Sequence, residues 1–93
     1  MSDNTEALRR MARAVEEVLD GPREHAEVFY RTRADEIGGL LDAARDRLPR
    51  GDAPLEPAQR TEHDAAEYLG QLYAALASWV LTGEPPQIAG RYR

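Results

Sequence analysis

Apolar residues recur at three- and four-residue spacing in three segments of the chain, and no segment shows the sustained alternation of a half-buried strand. Breaker residues separate the segments, with "DGP" at 20–22, "PRGDAPLEP" at 49–57 and "TGEPP" at 82–86. The pattern predicts three amphipathic helices, over Asn4–Asp20, Pro22–Leu48 and Pro57–Thr82. We therefore expect an all-α fold, a three-helix antiparallel up-down-up bundle with two long helices and a shorter first one.

A chain of 93 residues makes one domain at most. We place a single helical domain at 1–83 and an extended C-terminal tail at 84–93, because Pro85 and Pro86 cannot continue the third helix. Gly83 is the expected end of that helix.

Each predicted helix has an apolar stripe along one side. On the first helix the stripe comprises Leu8, Met11, Ala12, Val15, Val18 and Leu19. On the second it comprises Ala26, Tyr30, Ile37, Leu40, Leu41, Ala44 and Leu48, with Phe29 at its edge. On the third, large residues (Ala65, Leu69, Leu72, Leu76, Val80) lie beside a stripe of small ones (Ala66, Gly70, Ala74, Ala77).

The apolar arc of the third helix is wider than one neighbouring helix can cover, since Tyr68, Tyr73 and Trp79 extend it further. Because the first helix is shorter than the other two, it leaves part of the surface of the hairpin formed by the second and third helices uncovered. We therefore expect the bundle to pair into a homodimer, because small helical chains commonly bury such a surface about a two-fold axis. The expected interface comprises Ala66, Gly70, Tyr73, Ala74, Ala77 and Trp79.

Charge and composition narrow the choice of partners. The chain is 42% hydrophobic and 31% charged with a formal charge of −5, which is typical of a globular protein and repels phosphate backbones on average. Because of this charge we expect no nucleic-acid partner. We also expect no membrane partner, because the longest mostly apolar stretch, "LYAALASWVL", is about half of a membrane span. The predicted location is the cytoplasm.

The stretch "TEHDAAEY" at 61–68 holds His63 between acidic residues and is the first candidate for a metal or acid–base site. Helical geometry places His63 and Glu67 well away from the apolar stripe, so we interpret them as an exposed pair facing water. No zinc-binding, phosphate-binding or nucleophile motif is present. We expect no metal, no cofactor and no catalytic residue.

Arg33 is unusual because it falls on the apolar stripe of the second helix between Tyr30 and Ile37. In one interpretation its aliphatic stem packs while its head either escapes to the edge or pairs with Glu36. In the other, Arg33 lines a pocket with Tyr30, Tyr68 and Tyr73 and binds an anionic ligand, or it crosses a dimer interface.

The tail "EPPQIAGRYR" carries Ile88, Arg91, Tyr92 and Arg93 and is predicted to bind a partner. It has three possible fates, which are fraying, packing along its own bundle, or insertion into the groove of a partner.

Two functions stay open. The first is a non-catalytic, acidic helical interaction or regulatory protein, an adaptor or an antitoxin-like inhibitor of a larger partner, that works as a homo-oligomer. The second is a small-ligand-binding protein or enzyme that holds an anionic ligand with Arg33 and the tyrosines. A pocket with converging arginines favours the second.

Overall fold

A computed structural model of the protein describes residues 3–48 and 54–85, and every regular element in these ranges is a helix. Helix α1 spans Asp3–Leu19, α2 spans Arg23–Asp46 and α3 spans Pro57–Thr82. The three helices pack against one another. The predicted all-α fold is confirmed, as are two long helices and a shorter first one.

The start of α2 differs slightly from the prediction. Pro22 is the N-cap residue, with φ −72° and ψ 153°, rather than the first residue in the helix. Its carbonyl oxygen accepts hydrogen bonds from the N–H groups of His25 and Ala26. An extended ψ at the N-cap aims that carbonyl into the first turn, so the helix begins one residue later, at Arg23.

The end of α2 also comes earlier than predicted. The last turn tightens, because the N–H groups of Arg47 and Leu48 donate to carbonyls three residues back. The helix thus ends at Asp46, with Arg47 as its C-cap.

Local signals set both ends of α3 where the sequence predicts them. Pro57 stands at the first turn, and the side-chain oxygen of Gln59 accepts the N–H of Glu56 at 2.9 Å. At the other end Gly83 adopts φ 83°, and its N–H donates to the carbonyl of Trp79 at 2.9 Å. Glycine tolerates this left-handed conformation, which ends the helix.

The core lies where the stripes of the three helices meet, and α3 packs extensively on both α1 and α2. Its fully buried large side chains are Leu8, Val15, Ile37, Leu69, Leu72 and Leu76. Each such side chain contributes about 1.5–3 kcal/mol through its removal from water. The predicted stripes are thus confirmed at their centres, whereas Val18, Tyr30, Leu40, Leu41, Ala65 and Val80 are only partly buried at the edges.

Polar contacts join the ends of different helices. Arg23, at the start of α2, donates from Nε to the carbonyl of Trp79 at 3.2 Å and from Nη2 to that of Val80 at 2.6 Å. The carbonyl of Trp79 also accepts the N–H of Gly83, so Arg23 adds a second donor there and supplies a side-chain donor to the carbonyl of Val80 in the last turn, where carbonyls commonly lack partners within the helix. The start of α2 therefore lies beside the end of α3.

Candidate interaction surface

A groove of about 210 Å³ lies between the second half of α2 and the first turns of α3. Half-buried Leu41, Leu48 and Ala66 form much of its apolar wall, together with buried Ala44. Exposed Arg45 and Glu67 lie at its rim with half-buried His63. The groove therefore combines an apolar floor with charged side chains at the edge, which is the usual anatomy of a peptide-binding or subunit-binding surface.

His63 lies differently from the prediction, which had it facing water. It is half-buried, and it lines the groove together with Leu48, which follows the end of α2. Glu67 is exposed, as predicted. Within residues 3–48 and 54–85, no three acidic or histidine side chains are grouped so that they could hold a metal ion.

The small-residue stripe of α3 borders this groove. Ala66, Gly70 and Ala77 are half-buried, and Ala74 is exposed. A Cβ atom added at Gly70 would meet nothing within 4 Å, so among the described residues no other helix packs closely against this glycine. The sequence predicted that small residues here admit a close neighbour, and at Gly70 the described part of the chain does not supply one.

The same side of α3 continues to an exposed leucine near its end. Leu81 keeps 68% of its surface exposed, although it is a large apolar residue. It follows Ala74 and Ala77 at helical spacing, so the apolar surface runs from the groove to the last turn of α3. We call the residues Ala66, Gly70, Ala74, Ala77 and Leu81 the α3 face.

Tyr73 and Trp79, the other two predicted interface residues, make contacts within the chain. The rings of Tyr73 and Tyr30 stack with their centroids 6.0 Å apart and an interplanar angle of 20°. Burial raises the pKa of Tyr73, and the hydrogen bond and charge of Tyr30 and the negative charge of Asp35 raise it further. Trp79 is half-buried against the core, and its carbonyl accepts Arg23.

The four residues of the anionic-ligand hypothesis have different surroundings. Arg33 places Nε 2.8 Å from Oε1 of Glu36 and its guanidinium carbon 5.6 Å from the centroid of Phe29. The contact with Glu36 is an ion pair rather than a well-aligned hydrogen bond, and the Arg33 side chain is 42% exposed. Of the two positions that the sequence suggested for the Arg33 head group, the pairing with Glu36 is thus present.

Tyr68 lies on the opposite flank of α3 from Tyr73. Its hydroxyl donates to Oε2 of Glu16 on α1, and its ring lines an open cavity of about 340 Å³ with Arg9 and Asp64. Five residues of helix correspond to about 140° of rotation, which separates Tyr68 from Tyr73. The structure therefore brings Tyr30 and Tyr73 together, while Tyr68 faces α1 and Arg33 contacts its own helix.

Glu62 is a buried polar residue that was not among the candidate residues predicted from the sequence. It is only 6% exposed, and its Oε2 accepts Nδ2 of Asn4 at 2.6 Å. Nε of Arg47, just after α2, lies 3.8 Å from the same oxygen. Glu62 precedes Leu69 by seven residues, which puts both on the same side of α3, and this spacing was the available signal.

No protein-family model, curated protein or solved structure matches the chain. Among the residues that the structure describes, no helix combines the length and the apolar character needed to cross a bilayer.

Proposed function

We propose that the protein is a non-catalytic helical interaction protein that works as a homodimer and regulates a larger protein, as an adaptor or an antitoxin-like inhibitor does. The α3 face carries this proposal. Exposed contiguous apolar surface on a small globular chain marks a site where another molecule docks. Leu81, at 68% exposure, and exposed Ala74 lie on this surface, beside the open space at Gly70.

The proposed subunit is the antiparallel up-down-up bundle. Contacts at both ends of α2 support it: Arg23 at its start contacts Val80 near the end of α3, and Arg47 after its end contacts Glu62 near the start of α3. The contact between Asn4 and Glu62 places the starts of α1 and α3 together.

In the proposed dimer, α3 of one copy packs antiparallel against α3 of the other, with the two-fold axis near Ala74. Small residues at a helix crossing let the two backbones approach within about 8–10 Å, and the missing side chain of Gly70 provides that space. A two-fold contact uses the same surface on both copies, so each change at the interface acts twice. Tyr73 and Trp79 lie at the edges of this interface.

The formal charge of −5 favours a larger partner with a basic surface, because opposite charges attract two proteins to each other before they make contact. The same charge disfavours nucleic acid, because an acidic surface repels phosphates. The region around the dimer interface is the proposed docking surface for it.

Sedimentation equilibrium of the purified chain tests the dimer, which is expected to have twice the mass of one chain. Ala74→Arg is expected to give a monomer, since it adds a long charged side chain at the centre of the interface and costs little within the subunit. Thr32→Arg adds the same charge at an exposed position on α2 and is the matched control, with the dimer retained. A wild-type chain that stays monomeric at micromolar concentration contradicts the proposal.

The regulatory role is tested by co-purification from the native host. A partner protein is expected to accompany the wild-type chain and Thr32→Arg but to be lost with Leu81→Arg. Equal recovery with all three chains would place the partner elsewhere on the molecule.

A further inference from the structure

We propose that residues 86–93 of one copy bind in the groove lined by Leu41, Leu48 and Ala66 on the other copy. This inference rests on the proposed homodimer and adds to it the segment that one subunit contributes to the other. The occupant is thus a named part of this chain, and the charge and the length of that segment support the assignment.

The groove suits an extended segment with spaced apolar side chains. Its walls are mostly apolar, and its volume of about 210 Å³ accepts one or two large side chains rather than a whole helix. Arg45, His63 and Glu67 at the rim offer hydrogen-bond donors and acceptors to a backbone or a phenol.

The segment that follows the described residues has matching chemistry. Pro85 and Pro86 favour an extended backbone over a helix, and extended proline-containing segments commonly dock in apolar grooves. Beyond them, Ile88 and Tyr92 are the large apolar side chains, and tyrosine is among the residues that contribute most at interfaces.

Charge also favours this pairing. Residues 86–93 contain two arginines, Arg91 and Arg93, and no acidic residue. Because the whole chain has a formal charge of −5, subtracting these two positive charges leaves −7 on residues 1–85. A basic segment is therefore attracted to the acidic body of either copy, and at the groove rim, which also holds Arg45, Glu67 provides a carboxylate for an arginine.

Distance decides which copy supplies the segment. Along α3, Gly83 lies about 26 Å from Ala66 of the same chain, at 1.5 Å per residue. An extended segment advances about 3.1 Å per residue, so Ile88 would reach only about 16 Å from Gly83 and Tyr92 about 28 Å. To reach the groove of its own chain, the segment would therefore have to reverse direction after Gly83 and run back fully extended along α3. Even then Ile88 would not reach the groove.

The proposed dimer removes that shortfall. With the two-fold axis near Ala74, antiparallel pairing sets Thr82 of one copy level with Ala66 of the other. The segment then begins one helix width, about 8–10 Å, from the groove. Ile88 and Tyr92 both reach it without strain.

Cross-linking between copies tests the inference directly, because the chain has no cysteine of its own. A tagged His63→Cys chain and an untagged Tyr92→Cys chain are mixed, allowed to exchange subunits and treated with a short bismaleimide. The expected product is a cross-linked dimer of one tagged and one untagged chain. Val28→Cys, on the exposed outer side of α2, replaces His63→Cys in the control and is expected to give at least ten-fold less of this product.

Two further measurements keep the inference separate from the dimer itself. Tyr92→Ala is expected to raise the dimer Kd at least ten-fold, whereas Tyr92→Phe, which keeps the ring, is expected to change it less than three-fold. A dimeric wild-type chain with no mixed cross-link, or with an unchanged Kd in Tyr92→Ala, overturns the inference and leaves the proposed function intact.

A monomeric wild-type chain overturns both proposals. A double His63→Cys and Tyr92→Cys chain that cross-links only within itself, at the mass of one chain, shows that the segment occupies its own groove and also overturns the inference.

Discussion

Nδ2 of Asn4 donates to Oε2 of Glu62 across 58 residues of sequence, at 2.6 Å and at a site where Glu62 is almost wholly buried. This bond connects the start of α1 to α3. If the donor is removed, the buried carboxylate still has the unfavourable free energy of its transfer out of water, but this hydrogen bond no longer offsets it.

Asn4→Ala is therefore expected to lower the free energy of unfolding by about 1–3 kcal/mol, measured by urea denaturation. Glu6→Ala is the control, since Glu6 is exposed on the same helix and its pair with Arg10, at 3.8 Å, is solvent-exposed. Such a pair contributes about 0–1 kcal/mol. Equal effects of the two changes would show that the buried bond stabilises no more than a surface pair.

Arg23→Lys is expected to destabilise the bundle by about 1–2 kcal/mol, although the charge is kept. The planar guanidinium donates to two carbonyls at the end of α3, Trp79 at 3.2 Å and Val80 at 2.6 Å, and one ammonium group cannot reproduce that fork. Arg45→Lys, whose exposed partner Asp42 lies 3.2 Å away, is expected to change stability by less than about 0.5 kcal/mol. Thermal melting of both variants provides the comparison.

Stability is expected to fall as the pH rises above about 10, the ordinary pKa of tyrosine. Burial and Tyr30 raise the pKa of Tyr73 in the folded protein. At a pH between the pKa of Tyr73 in the unfolded chain and its higher pKa in the folded protein, only the unfolded chain loses the phenol proton. The contribution of Tyr73 to the free energy of unfolding is therefore complete below about pH 10 and is lost as the pH rises through the pKa of the folded state.

Tyr73→Phe is expected to flatten this alkaline loss of stability, because no tyrosinate can form at that position. The chain contains no lysine and no cysteine, whose ordinary pKa values would otherwise overlap this range. Denaturant unfolding at pH 8 and pH 11 measures how steeply the free energy of unfolding falls. An identical fall in the variant would show that Tyr73 is not its cause.

Replacing the glycines by alanine is expected to have opposite effects at different sites. Helix α2 runs through Gly38 and Gly39, and a Cβ atom at either position meets nothing within 4 Å. Gly38→Ala and Gly39→Ala should each stabilise the protein by about 0.5–1 kcal/mol, because alanine loses less backbone freedom on folding. Gly83→Ala should destabilise it by about 1–2 kcal/mol, since Gly83 has φ 83°. Melting temperatures of the three variants test both directions.

The helices could be predicted because their signals are local. Pro57, Gly83 and the apolar spacing between them locate α3 to the residue, and each acts within a turn or two of its own position. The ends of α2 were less exact, because Pro22 suits an N-cap as well as a first helical position, and the tightened last turn at Arg47 leaves no local mark in the sequence.

The site was harder to predict, because it depends on which helix flanks meet. The sequence placed His63 facing water, whereas the packing of α2 against α3 makes it part of a groove that Leu41, Ala44 and Leu48 also line. The predicted tail residues Ile88, Arg91, Tyr92 and Arg93 lie outside the described residues.

Arg33 and Glu62 show where prediction from the sequence ends. Both are charged residues on the apolar side of a helix, Arg33 between Tyr30 and Ile37 and Glu62 seven residues before Leu69. The periodicity by itself determined which side of its helix each occupies, because that depends only on helical geometry. The tertiary structure alone decided that Glu62 is buried with Asn4 while Arg33 pairs with Glu36 at the edge, because burial of a charge depends on donors from distant parts of the chain.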